Sequence, residues 1–116
     1  MRVLVIDDNS EITDMLSRYL KLENIGVTVS NDGRNGLVLV RNSNFDRIIL
    51  DLAMPEFSGM EVLETICNER IVEPNKIILF TASSISQEET DRMLALGTKA
   101  CLKKPAKMNE LLQVLR

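Results

Sequence analysis

The sequence has no histidine and no tryptophan, and only one tyrosine, three phenylalanines and two cysteines among its 116 residues. Without histidine the chain cannot supply an imidazole base, nucleophile or metal ligand, which excludes Ser-His-Asp and Cys-His mechanisms. Cys67 and Cys101 lie far apart and outside any CxxC context. This is the cysteine usage of a reducing compartment, with thiols expected to be buried. No apolar run approaches the ~18 residues of a transmembrane helix. Met1-Arg2 precedes only a short apolar run, too brief for a signal peptide. A cytoplasmic location with no membrane partner is therefore expected. Basic excess is absent as well: 14 Lys+Arg face 17 Asp+Glu, a net charge of −3. Direct nucleic-acid binding, which needs clustered cations, is not expected. Five glycines and three prolines are too few for a low-complexity or collagenous chain.

What is present fits one globular domain over residues 1–116. The chain is 45% hydrophobic and 27% charged. At this length it can bury roughly two-thirds of its unfolded surface around one core. Val3-Leu4-Val5-Ile6 is a continuous apolar run rich in β-branched residues, the habit of a strand covered on both faces. It stops at Asp7-Asp8-Asn9. Ile12, Met15, Leu16, Tyr19 and Leu20 then form a helical stripe, capped by Asn9 or Ser10.

The alternation continues. Ile25 to Val29 predicts a strand, Asp32-Gly33 a turn, and Leu37 to Val40 belong to a short helix. Ile48-Ile49-Leu50 is another buried run, ending at Asp51. Ser58-Gly59-Met60-Glu61 predicts a capping box, opening a helix through Val62, Leu63, Ile66 and Cys67. After a break at Pro74, Lys76 to Phe80 is a fourth strand ending at Thr81. Ser86-Gln87-Glu88-Glu89 is a second capping box, and its helix runs to Gly97. Lys99 to Leu102 is a fifth strand, and Met108, Leu111, Leu112 and Leu115 mark the last helix. Met60, Met93 and Met108 fit core positions, and Arg34, Arg41 and Arg47 a solvated surface. Five alternating strands and helices imply an α/β fold: a doubly wound, five-stranded parallel sheet with helices on both faces.

In such sheets ligands bind beyond the carboxyl ends of the strands. Strand one ends in Asp7-Asp8, strand three in Asp51, strand four in Thr81 and strand five in Lys103-Lys104. Singly, each is an ordinary turn former, loop hydroxyl or solvated lysine. Together they fall on one rim of a sheet whose other residues are mostly apolar. Clustered carboxylates repel unless a cation shares them, and two or three of them completed by water suit Mg²⁺. A lysine and a hydroxyl on the same rim suit a transferred phosphoryl group.

The chain resembles two-component response-regulator receiver domains, the CheY-like family. The resemblance rests on Val3-Leu4-Val5-Ile6-Asp7-Asp8-Asn9, on Phe45 to Gly59 with Asp51 and Met54-Pro55, on Ile78-Leu79-Phe80-Thr81-Ala82, and on Ala100-Cys101-Leu102-Lys103-Lys104-Pro105. These lie in the family's order and spacing and cover essentially the whole chain. The resemblance implies that Asp51 is the phosphoryl acceptor. It also implies that Asp7, Asp8, Asp51 and the backbone carbonyl of Ala53 hold Mg²⁺ or Mn²⁺, Asp7 mainly through water. Lys104, just before Pro105 and joined to it by a cis peptide, would pair with the phosphoryl group. Thr81 would donate its hydroxyl, and Ala82 a backbone N–H. The donor would be a sensor histidine kinase or phosphotransfer protein. Phosphorylation would alter the face formed by the fourth helix, fifth strand and fifth helix, which engages a downstream effector protein or domain. The chain would be a monomer or a phosphorylation-dependent dimer, reacting only at its own aspartate and not turning over substrate.

Two departures stand out. Family members usually carry an aromatic residue three positions before the lysine, where this chain has Cys101, best explained as a small buried residue. Ala53 and Ser83 occupy the positions that tune the lifetime of the acyl phosphate in the family. Phe57 either covers its loop against the third helix or meets a partner kinase. Three other functions compete. An aspartate-nucleophile phosphohydrolase of the haloacid dehalogenase type wants a second acid where Ala53 stands. A constitutive interaction module would not need the acceptor, metal and lysine positions. A flavodoxin-like flavin site would be repelled by Asp7-Asp8.

Overall fold

The computed structural model describes residues 1–82 and 84–116; Ser83 lies outside them. Five strands and five α-helices alternate: β1 (Arg2–Ile6), α1 (Ser10–Leu22), β2 (Gly26–Ser30), α2 (Gly33–Asn42), β3 (Arg47–Leu50), α3 (Gly59–Glu69), β4 (Ile77–Ala82), α4 (Gln87–Ala95), β5 (Ala100–Lys104) and α5 (Met108–Leu115). All pairings are parallel, in the order β2-β1-β3-β4-β5. The doubly wound α/β sheet expected from the apolar runs is the fold observed.

Side-chain alternation explains the two cores. Leu4, Ile6, Ile48, Leu50, Ile77 and Leu79 face one side, where they pack with Leu37, Val40, Val62, Leu63, Ile66 and Met93 from α2, α3 and α4. Val3, Val5, Ile49, Ile78 and Phe80 face the other, with Leu16 and Leu20 of α1 and Leu111 and Leu115 of α5. Strand segments covered on both faces are apolar, which is why residues 3–6 of β1, 48–50 of β3 and 77–80 of β4 include no polar residue. Met93 is fully buried; Met60 and Met108 are half-buried at the edges of the two cores.

The helix starts show which side chains the backbone needed. Asn9, Asp32, Ser58 and Ser86 each accept a hydrogen bond from a first-turn amide of α1, α2, α3 and α4. Asp32-Gly33 is thus a helix start and not a free turn: Asp32 caps α2, the helix to which Leu37 to Val40 belong. The cause lies at Gly33, where a Cβ would overlap the Phe57 carbonyl and meet the Phe57 ring at 3.1 Å. Only a glycine lets α2 begin that close to the β3–α3 loop. Phe57 therefore covers its loop against the start of α2, and Arg34 lies over its ring at 5.2 Å. Gly97, at φ +101°, follows α4 as the left-handed residue its position predicts.

The arginines depart from a plain solvated surface. Arg41 pairs with Glu69 at 2.6 Å on the exposed α2–α3 face. Arg47 is half-buried; its Nε donates to the Leu115 carbonyl at 3.1 Å and its Nη1 to the Asp46 carbonyl at 2.8 Å. It closes the C-terminal end of α5 onto the start of β3, satisfying a carbonyl that the helix leaves open.

Candidate functional site

Parallel pairing in register brings the ends of β1, β3, β4 and β5 to one rim. Ile6 pairs with Leu50, Leu50 with Leu79, and Ala82 with Lys104. The next residues out are Asp7 and Asp51. Asp7 and Asp51 are buried, while Asp8 is exposed. One carboxylate oxygen from each of Asp7, Asp8 and Asp51 lies within 4.8 Å of the others.

Alternation along β5 decides between the two lysines. Lys103 is exposed and registers with Thr81. Lys104 points to the carboxylates: its Nζ donates to Asp7 Oδ2 at 2.8 Å and stands 3.5 Å from Asp51 Oδ1. The Phe80 ring lies beneath the ammonium, 5.4 Å from ring centre to Nζ. The Lys104-Pro105 peptide is cis.

Asp7 is held at every polar atom. Its N–H donates to the Ser30 carbonyl at 3.0 Å. Its Oδ1 accepts from the Asn9 N–H at 2.9 Å, and its carbonyl accepts from Asn31 Nδ2 at 2.9 Å. Asp51 is less satisfied. Its N–H donates to the Ile6 carbonyl at 2.9 Å, but among the described residues its side chain accepts only a long bond from the Ala53 N–H at 3.4 Å beside the distant lysine. Burial, and next the charge of Asp7, push the Asp51 carboxyl up to about 6, against the opposing pull of Lys104 and the Ala53 amide. A buried carboxylate with a raised affinity for protons has a raised affinity for other electrophiles and cations too.

The loop after β3 wraps this acceptor position tightly. A Cβ on Gly59 would overlap the Asp51 carbonyl oxygen and stand 2.6 Å from Leu52 Cα. The glycine therefore lets α3 start directly against the site. Glu56 completes the turn with φ +63°. Thr81 is buried at the end of β4, beside a groove of about 440 Å³ lined by Leu52, Ala53, Met60, Ala82, Ile85 and Met93. A second groove, of about 560 Å³ and largely apolar, runs from Lys104 and Pro105 past Phe80 and Ala82 to Ile12, Met15 and Met108.

Asp7, Asp8, Asp51, Thr81, Ala82 and Lys104 are thus gathered on one rim, with the Ala53 backbone in the loop beside them. Cys101 lies three residues before Lys104 on β5, half-buried, in register with Leu79 and packed against the core that α4 covers. Ser83 is outside the described residues. Sequence reasoning missed Asn31 and Phe80. Asn31 had one readable signal, since it directly follows β2 and so reaches the same rim. Phe80 had none, because it reads as core.

Three carboxylates and one ammonium leave the rim strongly negative, with two of the acids out of water. A divalent cation fits this donor set: hard oxygens, crowded, and short of positive charge. The cluster can hold a metal ion.

Comparison with known proteins agrees with this geometry. Residues 3–116 match the response regulator receiver domain family. The chain is 34% identical over 113 residues to a transcriptional regulatory protein, the CpxR homolog of Haemophilus influenzae, covering 96% of this chain and 47% of that protein. It is 34% identical over 112 residues to the cell cycle response regulator CtrA of Brucella ovis, covering 97% and 47%. The chain thus spans about half the length of these relatives. Among solved structures, the receiver domain of Francisella response regulator 1452 superposes with a TM-score of 0.87 at 30% identity, covering 97% of this chain and 92% of that one. Vibrio cholerae chemotaxis protein CheY4 superposes with 0.87 at 29% identity, covering 98% and 94%. A Burkholderia pseudomallei response regulator solved with a phosphorylated aspartic acid and a calcium ion superposes with 0.87 at 25% identity, covering 99% and 66%. The chain belongs to the family of response regulator receiver domains, the phosphorylation-controlled modules of two-component signalling, whose members are signalling proteins and not turnover enzymes.

Proposed function

We propose that the whole chain acts as one receiver unit, taking a phosphoryl group onto Asp51 from a histidine kinase or phosphotransfer protein. The observation that carries this reading is the convergence of three carboxylates within 4.8 Å, two of them buried, with Lys104 beside both buried ones. The absence of histidine within these 116 residues supports a donor outside them, since the phosphohistidine is not part of this domain.

Asp51 is the nucleophile: one of its carboxylate oxygens forms the bond to phosphorus while the bond from phosphorus to the donor's imidazole nitrogen breaks. Asp7, Asp8, Asp51 and the Ala53 carbonyl would hold Mg²⁺ or Mn²⁺, Asp7 mainly through water. When bound, the ion offsets the charge of the carboxylates and of the phosphoryl oxygens. Lys104 exchanges its bond to Asp7 for the new oxygens, Thr81 donates its hydroxyl to one of them, and the Ala82 N–H lies alongside. Asp51 is the only residue that reacts, so the chemistry stays on the chain itself.

The phosphoryl group adds one to two negative charges to an acidic rim. Thr81 and the backbone after it follow, shifting the face of α4, β5 and α5 toward or away from an effector protein or domain. Cys101 offers no ring to swing there, so the backbone displacement carries the signal. The effector is a protein, consistent with the net charge of −3, and the chain works in the cytoplasm as a monomer or a phosphorylation-dependent dimer.

Incubation with acetyl phosphate and Mg²⁺, read by intact-protein mass, tests the reading. One added phosphoryl group in the wild type and none in Asp51→Asn is expected. A wild type that takes up neither phosphate nor beryllofluoride would refute it.

A further inference from the structure

We propose that Asn31 is a positioning residue for the acidic pair Asp7-Asp8, setting the affinity of the rim for its divalent ion; this rests on the metal-dependent reading above. Asp7 has four polar groups, and all four are engaged. Backbone amides and carbonyls of the same rim take two of them, through Ser30 and Asn9. Lys104 takes the third and has its own part in the chemistry. The fourth, the Asp7 carbonyl, is held by a side chain alone: Asn31 Nδ2 at 2.9 Å.

That carbonyl is the peptide linking Asp7 to Asp8. Asp8 is exposed, so the peptide plane is what aims its carboxylate at the cluster. The same Asn31 nitrogen donates to Thr13 Oγ1 at 3.1 Å, and Thr13 Oγ1 donates to the Ser10 carbonyl at 3.1 Å. One carboxamide thus ties the β2–α2 loop to both the acidic pair and the first turn of α1. Groups that orient ligands from outside their coordination sphere typically change metal affinity about tenfold or more when removed.

The two bonds of Asn31 can be separated. Asn31→Ala removes both; Thr13→Val removes only the bond to α1 and leaves the Asp7 carbonyl held. MgCl₂ titration of the full chain, followed by backbone amide NMR shifts, gives the affinity directly without any phosphoryl transfer. The expected result is about a tenfold weaker Mg²⁺ affinity in Asn31→Ala, with little change in Thr13→Val. The metal-free Asn31→Ala spectrum should also show shifted Asp8 and Asn9 amides. Asn31→Ser, too short to span the gap, replaces the alanine variant if that one does not fold. Wild-type affinity in the Asn31 variants overturns the inference, as does an equal loss in Thr13→Val, which would mark a general loosening of the loop. A wild type that binds no Mg²⁺ at all sinks the metal-dependent reading itself, a separate result.

Discussion

Lys104 is bonded to Asp7, not closely to Asp51: its ammonium lies 2.8 Å from Asp7 Oδ2 and 3.5 Å from the nearer oxygen of Asp51. The lysine neutralises the acid that is fully tied down and leaves the acceptor carboxylate the less satisfied of the two. Both acids are buried, at 2% and 5% side-chain exposure, so the ammonium is the principal counterion they have. Removing it leaves two buried carboxylates facing each other. Lys104→Met should lower the stability of the metal-free protein by roughly 1–3 kcal/mol, less than a fully buried pair because the lysine is itself partly solvated. Urea unfolding at pH 7.5 measures it; an unchanged midpoint would mean that solvent, not Lys104, balances Asp7.

The acceptor position carries its own pH dependence. Burial and the Asp7 charge raise Asp51 from 3.8 to about 6 in the folded chain. The folded state therefore holds a proton more tightly there than the unfolded state does. Its contribution is fully present below pH ~4, declines as pH rises, and is lost above about 6. The ionised carboxylate is then a liability of on the order of 1–3 kcal/mol at pH 7.5. Asp51→Asn should stabilise the metal-free protein at pH 7.5 and do little at pH 4.5. Denaturant midpoints at the two pH values, both in EDTA, check this. A stabilisation that is the same at both would assign the effect to packing.

Much of this is legible in the amino-acid sequence. The β-branched runs of β1, β3 and β4 are apolar because helices cover both faces, and that same fact forces their first polar residues, Asp7, Asp51 and Thr81, onto one rim. Lys104 could be preferred over Lys103 on the Lys-Pro motif, and strand alternation gives the physical reason. The remainder depends on approach between segments distant in sequence. Asp32 reads as a turn residue until Gly33 is seen against Phe57. Arg47 reads as surface because its partner, the Leu115 carbonyl, is 68 residues away. Glu56 and Arg70 take φ of +63° and +52°, a conformation neither side chain announces, whereas Asn24 at +62° is of a type that adopts it readily. Asn31 reaches Asp7 only because β2 lies beside β1.

Gly59 and Gly26 offer a matched pair. A methyl group at Gly59 collides with the Asp51 carbonyl and Leu52 Cα, backbone atoms that cannot swing aside. At Gly26 the nearest atoms would be the Met1 carbonyl at 3.7 Å and Arg2 Cγ at 3.9 Å, ordinary contacts. Gly59→Ala should cost about 2–4 kcal/mol and displace the acceptor, while Gly26→Ala stays within about 1 kcal/mol of wild type. Thermal unfolding separates them. Phosphate uptake by any folded Gly59→Ala should also fall, since the altered carbonyl belongs to the acceptor itself.

Cys101 stands where the resemblance places an aromatic ring, and its environment argues for packing over reactivity. Burial raises its thiol pKa, with the Thr90 hydroxyl and the Lys103 charge pulling the other way; burial raises Cys67 as well. A raised pKa means less thiolate at neutral pH, and the thiolate is the reactive form. Both thiols are half-buried, so access compounds the effect. At pH 7.5 each should alkylate with iodoacetamide roughly tenfold more slowly in the folded protein than in the urea-unfolded chain. Peptide mapping of a time course resolves the two sites. If Cys101 alkylates faster folded than unfolded, the pocket activates it, and the position would have to be reconsidered as a redox-responsive element instead of a filled space.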